Sequence, residues 1–150
     1  MNISNRTLLH NATIVNEGSR FHGYIVIEGE TIACVAQGTP EESIRLSCGK
    51  CIDVEGCLAI PGVIDDQVHF RDPGLTHKGD IFTESRAAVA GGVTSYMDMP
   101  NVVPPTTTID LLEAKYRHAA DVSLANFSFF IGATNDNIDT LLDVDYSKTC

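Results

Sequence analysis

Residues 64–74 have the sequence IDDQVHFRDPG, which combines a strand pattern with a cluster of polar side chains. Side chains two positions apart on a strand point to the same side, so alternation predicts one shared face for Asp65, Gln67, His69 and Arg71. Polar groups on a strand covered by helices are costly to bury unless they serve a site. The stretch therefore predicts a site at the carboxyl end of a strand, where α/β enzymes hold ligands. A strand that merely runs out into solvent is the alternative.

Downstream of this stretch, strand and helix patterns alternate. A strand is expected over residues 58–70, with further strands over residues 93–99 and 124–133. Asp80 is expected to cap a helix that Gly91 and Gly92 end, and Thr107 with Asp110 marks the start of the next helix. A last helix is expected from Asn137. This order implies parallel strands with right-handed crossovers, in either a doubly wound sheet or a (β/α)8 barrel.

Upstream, residues 1–57 are predicted to form a separate, strand-rich segment. Residues 23–36 favour a hairpin whose turn is Glu28-Gly29-Glu30, residues 39–42 favour a helix start, and two short strands are expected around Gly56. So much sheet needs a second layer to cover its face. The predicted organisation is therefore a β segment over residues 1–57 and an α/β segment over residues 58–150.

Bulk composition excludes several classes of partner. The 150 residues carry a net charge of -10, which disfavours nucleic acid but leaves a small anionic substrate open. No signal peptide or apolar run long enough for a membrane span is present, so a cytoplasmic protein without a membrane partner is expected. Among five cysteines, Cys48 and Cys51 form a CxxC pair; free thiols are favoured over a redox motif or half a zinc site.

Residues 61–100 resemble the first β/α unit of the amidohydrolase superfamily, in which strand 1 carries an Asp-x-His-x-His zinc motif. Within that superfamily, the sequence HFRDPG at residues 69–74 and MPN at residues 99–101 are similar to the class I dihydroorotases. The likeness spans residues 12–150. It implies a small β-sandwich, completed by the end of the longer chain, ahead of a distorted (β/α)8 barrel of which this sequence holds the first three β/α units.

The resemblance also implies roles for individual residues. His69 matches a metal-binding histidine, while Arg71 and Asn101 match the residues that hold the substrate's carboxylate. Gln67 stands where the family has its first strand-1 histidine, so it is expected either to bind through its carbonyl oxygen or to be replaced by Asp66. The implied cofactor is Zn²⁺, as one or two ions, with Asp65 orienting a ligand. The proton-shuttling Asp is expected beyond residue 150, so no catalytic residue is predicted within the chain.

The implied reaction is that of a dihydroorotase, the reversible cyclisation of N-carbamoyl-L-aspartate to L-dihydroorotate in pyrimidine synthesis, through a metal-activated hydroxide. Two alternatives remain open. One is a related allantoinase or hydantoinase, which Arg71 followed by Asp-Pro-Gly disfavours. The other is a catalytically inactive binding or assembly subunit, suggested by Gln67. The partner is expected to be a small-molecule substrate, and self-association is left open. The chain is expected to be an incomplete part of the enzyme, inactive alone.

Overall fold

The computed structural model describes residues 5–150, which divide into two compact units between Pro61 and Gly62. Each unit is built on its own sheet. The boundary lies at Pro61 rather than after Cys57, because the short strand at residues 58–59 pairs with the first strand of the chain.

The first unit is a five-stranded sheet with one short helix. Strands β1, β2 and β3 form an antiparallel meander, and β4 and β5 pair with β1 in parallel, giving the order β3-β2-β1-β4. Leu8, Tyr24, Val26 and Cys48 form its core. The predicted hairpin, the brief helix and the two short strands around Gly56 are confirmed. The elements are β1 (Arg6–Asn16), β2 (Ser19–Glu28), β3 (Thr31–Gln37), α1 (Glu42–Ser47), β4 (Lys50–Asp53) and β5 (Leu58–Ala59).

The predicted continuous strand over residues 58–70 is wrong. The strand pairing is interrupted at Pro61 and Gly62. Pro61 lacks an amide donor, and a Cβ at Gly62 would collide with the side chain of Thr94. The second unit begins with the next strand. A second sheet layer for the first unit, as a sandwich requires, stays a prediction.

The second unit alternates strands and helices, as predicted. Its three strands are parallel and adjacent in chain order, β6-β7-β8, which confirms the α/β class. Closure into a barrel stays a prediction. The elements are β6 (Val63–Val68), α2 (Ile81–Ala90), β7 (Val93–Asp98), α3 (Ile109–Val122), β8 (Asn126–Phe129), α4 (Ile138–Asp143) and a 3-10 turn (Tyr146–Lys148).

An aromatic cluster forms the core of this second unit. The rings of Phe70 and Tyr96 lie 4.5 Å apart, and the helices α2 and α3 add Ile81 and Leu112, both almost fully buried. Because Phe70 directly follows His69, the core fixes the chain next to the predicted site.

Helix starts in the second unit follow capping chemistry. Asp80 accepts a hydrogen bond from the Thr83 amide, as predicted for α2. The start of α3 was predicted one residue too early: Thr108, not Thr107, accepts from the Leu111 amide. No helix of the described residues is long and apolar enough to cross a membrane.

Candidate functional site

The strand that leads into the site is irregular. Asp65 pairs with Tyr96 and Val68 with Asp98, so β6 holds one residue more than β7 between these two pairs. A bulge of this kind interrupts the alternation of side chains, and β6 ends at Val68. The predicted single face carrying Asp65, Gln67, His69 and Arg71 is therefore wrong.

Asp65 supports the bulge. Its Oδ1 accepts a hydrogen bond from the backbone amide of Gln67 at 3.1 Å, an interaction by which Asp shapes a turn in the chain that follows it. Asp65 thus orients the backbone of Gln67, and its expected role in orienting a metal ligand stays a prediction. The Gln67 side chain is exposed.

Two of the predicted site residues do meet. His69 Nδ1 and Asn101 Oδ1 lie 2.9 Å apart, although 32 positions separate them in the chain. The contact joins the end of β6 to the loop after β7. With this amide orientation, Nδ1 carries the proton and donates, so Nε2 keeps its lone pair. The Asn101 NH₂ group remains available to donate to a ligand.

Arg71 adopts an unusual backbone conformation. Its φ of 67° is left-handed, a region that non-glycine residues rarely occupy. The Arg71 carbonyl accepts from the Leu75 amide at 3.0 Å, which helps to hold the turn. Within residues 5–150, no carboxylate lies within ion-pair distance of the half-buried Arg71. Its neighbour Asp72 forms an ion pair with a different residue.

Asp72 pairs with His118, a residue that lies outside the sequence motifs. Asp72 is buried, its Oδ2 lies 2.9 Å from His118 Nε2, and the same oxygen accepts from the Ile81 amide at 3.3 Å. The carboxylate therefore joins the loop after β6 to the first turn of α2 and to α3. Asp72 lies in a loop and His118 in a helix, and no local sequence pattern links two residues so far apart in the chain.

A second buried carboxylate lies at the end of β7. Asp98 is 0% exposed; its Oδ1 accepts from the Phe70 amide at 2.9 Å, and its Oδ2 lies 2.5 Å from Lys115 Nζ. Lys115, on α3, is also buried and donates to the carbonyl of Met99 at 3.2 Å. No sequence motif indicates this pair, because Asp98 ends a strand, Lys115 lies within a helix, and neither belongs to a recognisable site pattern.

The loops after β6 and β7 contact each other closely. The Val103 amide donates to the carbonyl of Pro73 at 3.1 Å, and a Cβ on Gly74 would overlap the carbonyl of Val103. Gly74 also has a left-handed φ of 82°. These contacts bring the loop that carries Arg71 beside the loop that carries Asn101.

Burial also shifts one ionisable group beneath the site. Burial raises the pKa of Tyr96 to about 12, and its hydroxyl donates to Ser123 Oγ at 3.2 Å. Tyr96 is therefore neutral under ordinary conditions and acts as a core residue.

The residues present do not by themselves fit a zinc ion. Zinc sites in proteins use three or four His, Cys or carboxylate donors, whereas residues 5–150 contain no group of three such side chains placed to hold a metal. His69 offers one free imidazole nitrogen, held by Asn101 in the manner of an oriented metal ligand. The assignment of His69 and Gln67 as ligands stays a prediction.

No family model matches the chain. A protein named dihydroorotase from Lactobacillus johnsonii is 33% identical over 141 residues, which is 94% of this chain and 31% of that protein. A protein named allantoinase from Deinococcus radiodurans is 37% identical over 139 residues, covering 91% of this chain and 30% of that protein.

Solved structures agree with these sequence relatives. An L-hydantoinase (dihydropyrimidinase) from Arthrobacter aurescens superposes with a TM-score of 0.82 at 26% identity, over 91% of this chain and 30% of the hydantoinase chain. The chain is similar to members of the amidohydrolase superfamily. It matches the N-terminal portion of these superfamily members and spans about a third of the length of the relatives.

Within the amidohydrolase superfamily, the chain is related to proteins that hydrolyse cyclic amides. The α/β architecture of residues 62–150 and the strands before it agree with the corresponding region of the hydantoinases. Relatives with three different names match over nearly the same residues, so the choice among their activities depends on the site.

Proposed function

We propose that this chain forms the carboxylate-binding part of a dihydroorotase, which interconverts N-carbamoyl-L-aspartate and L-dihydroorotate in pyrimidine synthesis. The observation that carries the proposal is the contact of His69 with Asn101, with Arg71 two positions away and without an ion-pair partner among the described residues. An unpaired arginine in a strained turn is costly to keep, and an anionic ligand would give it a partner.

The chemistry of these side chains suits a carboxylate. The planar guanidinium of Arg71 can donate two parallel hydrogen bonds to it, and the free NH₂ of Asn101 can add a third. The ring of dihydroorotate carries such a carboxylate, whereas the rings of hydantoin and dihydrouracil do not. Arg71 and Asn101 therefore favour dihydroorotate among the cyclic amides.

Zn²⁺ remains the cofactor that we expect for the longer protein, with His69 as one ligand and Gln67 as a second, weaker one. When bound, zinc activates water and polarises an amide carbonyl. His69 keeps Nε2 free while Asn101 holds the ring by Nδ1, so the ring is already oriented for such a role. We further propose a cytoplasmic protein with a small-molecule substrate; self-association is left open.

Two other functions are weighed against this one. An allantoinase activity is favoured by the relative from Deinococcus radiodurans. A catalytically inactive assembly subunit is favoured by Gln67 and by the lack of three metal donors among the described residues. Both leave Arg71, which has no ion-pair partner among residues 5–150, without a role, and for that reason we rank them lower.

The test uses the purified full-length protein, with dihydroorotate, allantoin, hydantoin and dihydrouracil as substrates. Dihydroorotate is expected to show the highest kcat/KM. Arg71→Met should lower kcat/KM for dihydroorotate roughly 100-fold, since charge-assisted hydrogen bonds to a carboxylate contribute about 1.5–3 kcal/mol. Turnover of dihydrouracil, which lacks the carboxylate, should stay within about threefold.

Arg117→Met is the matched control, because it removes the same charge from an exposed position on α3. It should leave all rates unchanged. Turnover of allantoin without turnover of dihydroorotate would assign the allantoinase activity instead. A protein that is folded, free of metal and inert towards all four rings would support the assembly subunit.

A further inference from the structure

The buried ion pair of Asp98 and Lys115 has no part in the proposed binding of substrate. Both side chains are almost completely buried, 0% and 1% exposed. Burying two charges costs more than an apolar pair of similar size unless each charge is well partnered. A pair retained in the core of this unit therefore calls for a reason other than stability.

Each end of the pair contacts the backbone of a different site loop. Asp98 Oδ1 accepts from the amide of Phe70, the residue between His69 and Arg71. Lys115 Nζ donates to the carbonyl of Met99, two positions before Asn101. Because β6 has ended at Val68, the sheet ladder no longer holds the chain at Phe70, and the Asp98 carboxylate takes over this role.

The backbone of Asp98 extends the same connection. Its carbonyl accepts from the amide of Phe130 at 3.1 Å, just after β8, and the neighbouring Met99 amide donates to the carbonyl of Val68 at 3.0 Å. One residue at the end of the middle strand thus links the ends of all three strands of this sheet.

We infer that Asp98 and Lys115 are positioning residues, which hold the two loops so that His69 meets Asn101 with Arg71 beside them. The inference rests on the proposed function, since it assigns a purpose to the geometry of that site. Misplacing binding groups by about 1 Å can lower a rate roughly 100-fold, so a rigid connection beneath the loops has a direct effect on activity.

The number of acceptor oxygens makes the inference testable. Asp98 has two oxygens for two donors, the Phe70 amide and the Lys115 ammonium. Asparagine has one oxygen, which the cationic lysine will attract, so Asp98→Asn should release the Phe70 amide. Adding Lys115→Met removes the cation and lets the asparagine oxygen return to Phe70.

The decisive comparison is between two neutral double variants of the full-length protein. D98N/K115M keeps an acceptor for the Phe70 amide, and D98L/K115M has a side chain of similar shape without one. Neither leaves a buried unpaired charge. Thermal melts establish that both are folded. Histidine ¹⁵N NMR then reports whether His69 Nδ1 still donates to Asn101, and steady-state kinetics report KM and kcat for dihydroorotate.

D98N/K115M is expected to keep the wild-type His69 signals and a kcat/KM within about tenfold of wild type. D98L/K115M should lose the contact of His69 with Asn101. Its kcat/KM should be lower than that of D98N/K115M by a further factor of roughly ten or more, chiefly through a higher KM. If D98L/K115M does not fold, D98N is compared with D98N/K115M instead. Recovery of the His69 signals and of kcat/KM in the double variant then supports the positioning role.

Equal His69 signals and equal kinetics in the two double variants would overturn the inference, as would failure of K115M to restore either readout to D98N. The NMR readout needs no turnover. A wild-type protein inert towards dihydroorotate would therefore count against the proposed function alone, and the His69 signals would still decide the role of Asp98 and Lys115.

Discussion

At the scale of single residues, Arg71 is the clearest sign that the site has a purpose beyond folding. It has a left-handed φ of 67° and lacks an ion-pair partner within residues 5–150. Both features cost free energy, and residues in such conformations cluster at ligand sites. Nearby hydrogen bonds hold the turn, so the surrounding structure, rather than the arginine, maintains the strain.

We therefore predict that Arg71→Gly is more stable than Arg71→Ala by about 1 kcal/mol, since glycine adopts a left-handed φ without a clash while alanine keeps the Cβ. Both variants remove the guanidinium and should lose carboxylate binding equally. Urea unfolding gives the stabilities, and titration with dihydroorotate gives the affinities. Equal unfolding midpoints for the two variants would show that the backbone at residue 71 is not strained.

At the scale of elements, the site depends on two loops that follow neighbouring parallel strands. The loop after β6 carries Arg71, and the loop after β7 carries Asn101. They meet where Gly74 approaches the carbonyl of Val103 too closely for any side chain. The positions of both substrate-binding candidates therefore depend on a glycine that contacts no ligand itself.

Gly74→Ala is expected to destabilise the protein by about 2 kcal/mol or more and to raise KM for dihydroorotate, because the new Cβ pushes the loops apart as well as straining φ. Gly92→Ala is the control: its φ is 92°, but open space surrounds the added Cβ. Gly92→Ala should cost about 1 kcal/mol and leave KM unchanged. Thermal melts and steady-state kinetics distinguish the two effects, and an unchanged KM in Gly74→Ala would contradict the role given to the loop contact.

At the scale of the whole molecule, both units expose apolar side chains. In the second unit, Val63 and Ile64 of the edge strand β6 are 48% and 64% exposed. In the first unit, an apolar groove of about 240 Å³ is lined by residues that include Ile14, Ile32 and Ile60. Exposed apolar grooves and unpaired strand edges favour association and aggregation.

We predict that the 150-residue chain, made alone, binds an apolar fluorescent dye strongly and does not turn over dihydroorotate, since its described residues lack three metal donors. Ile64→Lys, which places a charge on the exposed edge strand, should reduce aggregation of the isolated chain. Light scattering and dye fluorescence measure these effects. Turnover by the isolated chain would show that the site is complete within it.

Much of the local structure could be predicted from the sequence. The hairpin with its Gly29 turn, the Asp80 cap and the alternation of strands and helices follow from local chemistry that a few neighbouring residues determine. The bounds of some elements were harder to predict, because contacts with distant parts of the chain determine where a strand ends. The expected strand at residues 58–70 divides because Leu58 and Ala59 pair with β1. The cap of α3 is Thr108 rather than Thr107, an error of one residue in a local pattern.

In the candidate site, too, local patterns were predictable from the sequence and distant contacts were not. The motif at residues 69–74 identified His69 and Arg71, and MPN identified Asn101, but alternation along β6 failed at a bulge held by Asp65. The Asp72–His118 and Asp98–Lys115 pairs were missed, because each joins residues that are far apart in sequence and carries no local pattern.

By itself, the sequence determined the order of elements and the types of side chain that the site offers, since turns, caps and hydrophobic alternation act between near neighbours. Only the tertiary structure decided that His69 meets Asn101, that Arg71 lacks an ion-pair partner among the described residues, and that Asp98 holds the chain between His69 and Arg71. For Asp98 the physical reason is burial: once two strands and a helix pack together, a buried polar group must find its partner across the fold rather than along the chain. His69 and Asn101 are exposed, and they meet because packing of the strands brings the loops after β6 and β7 side by side.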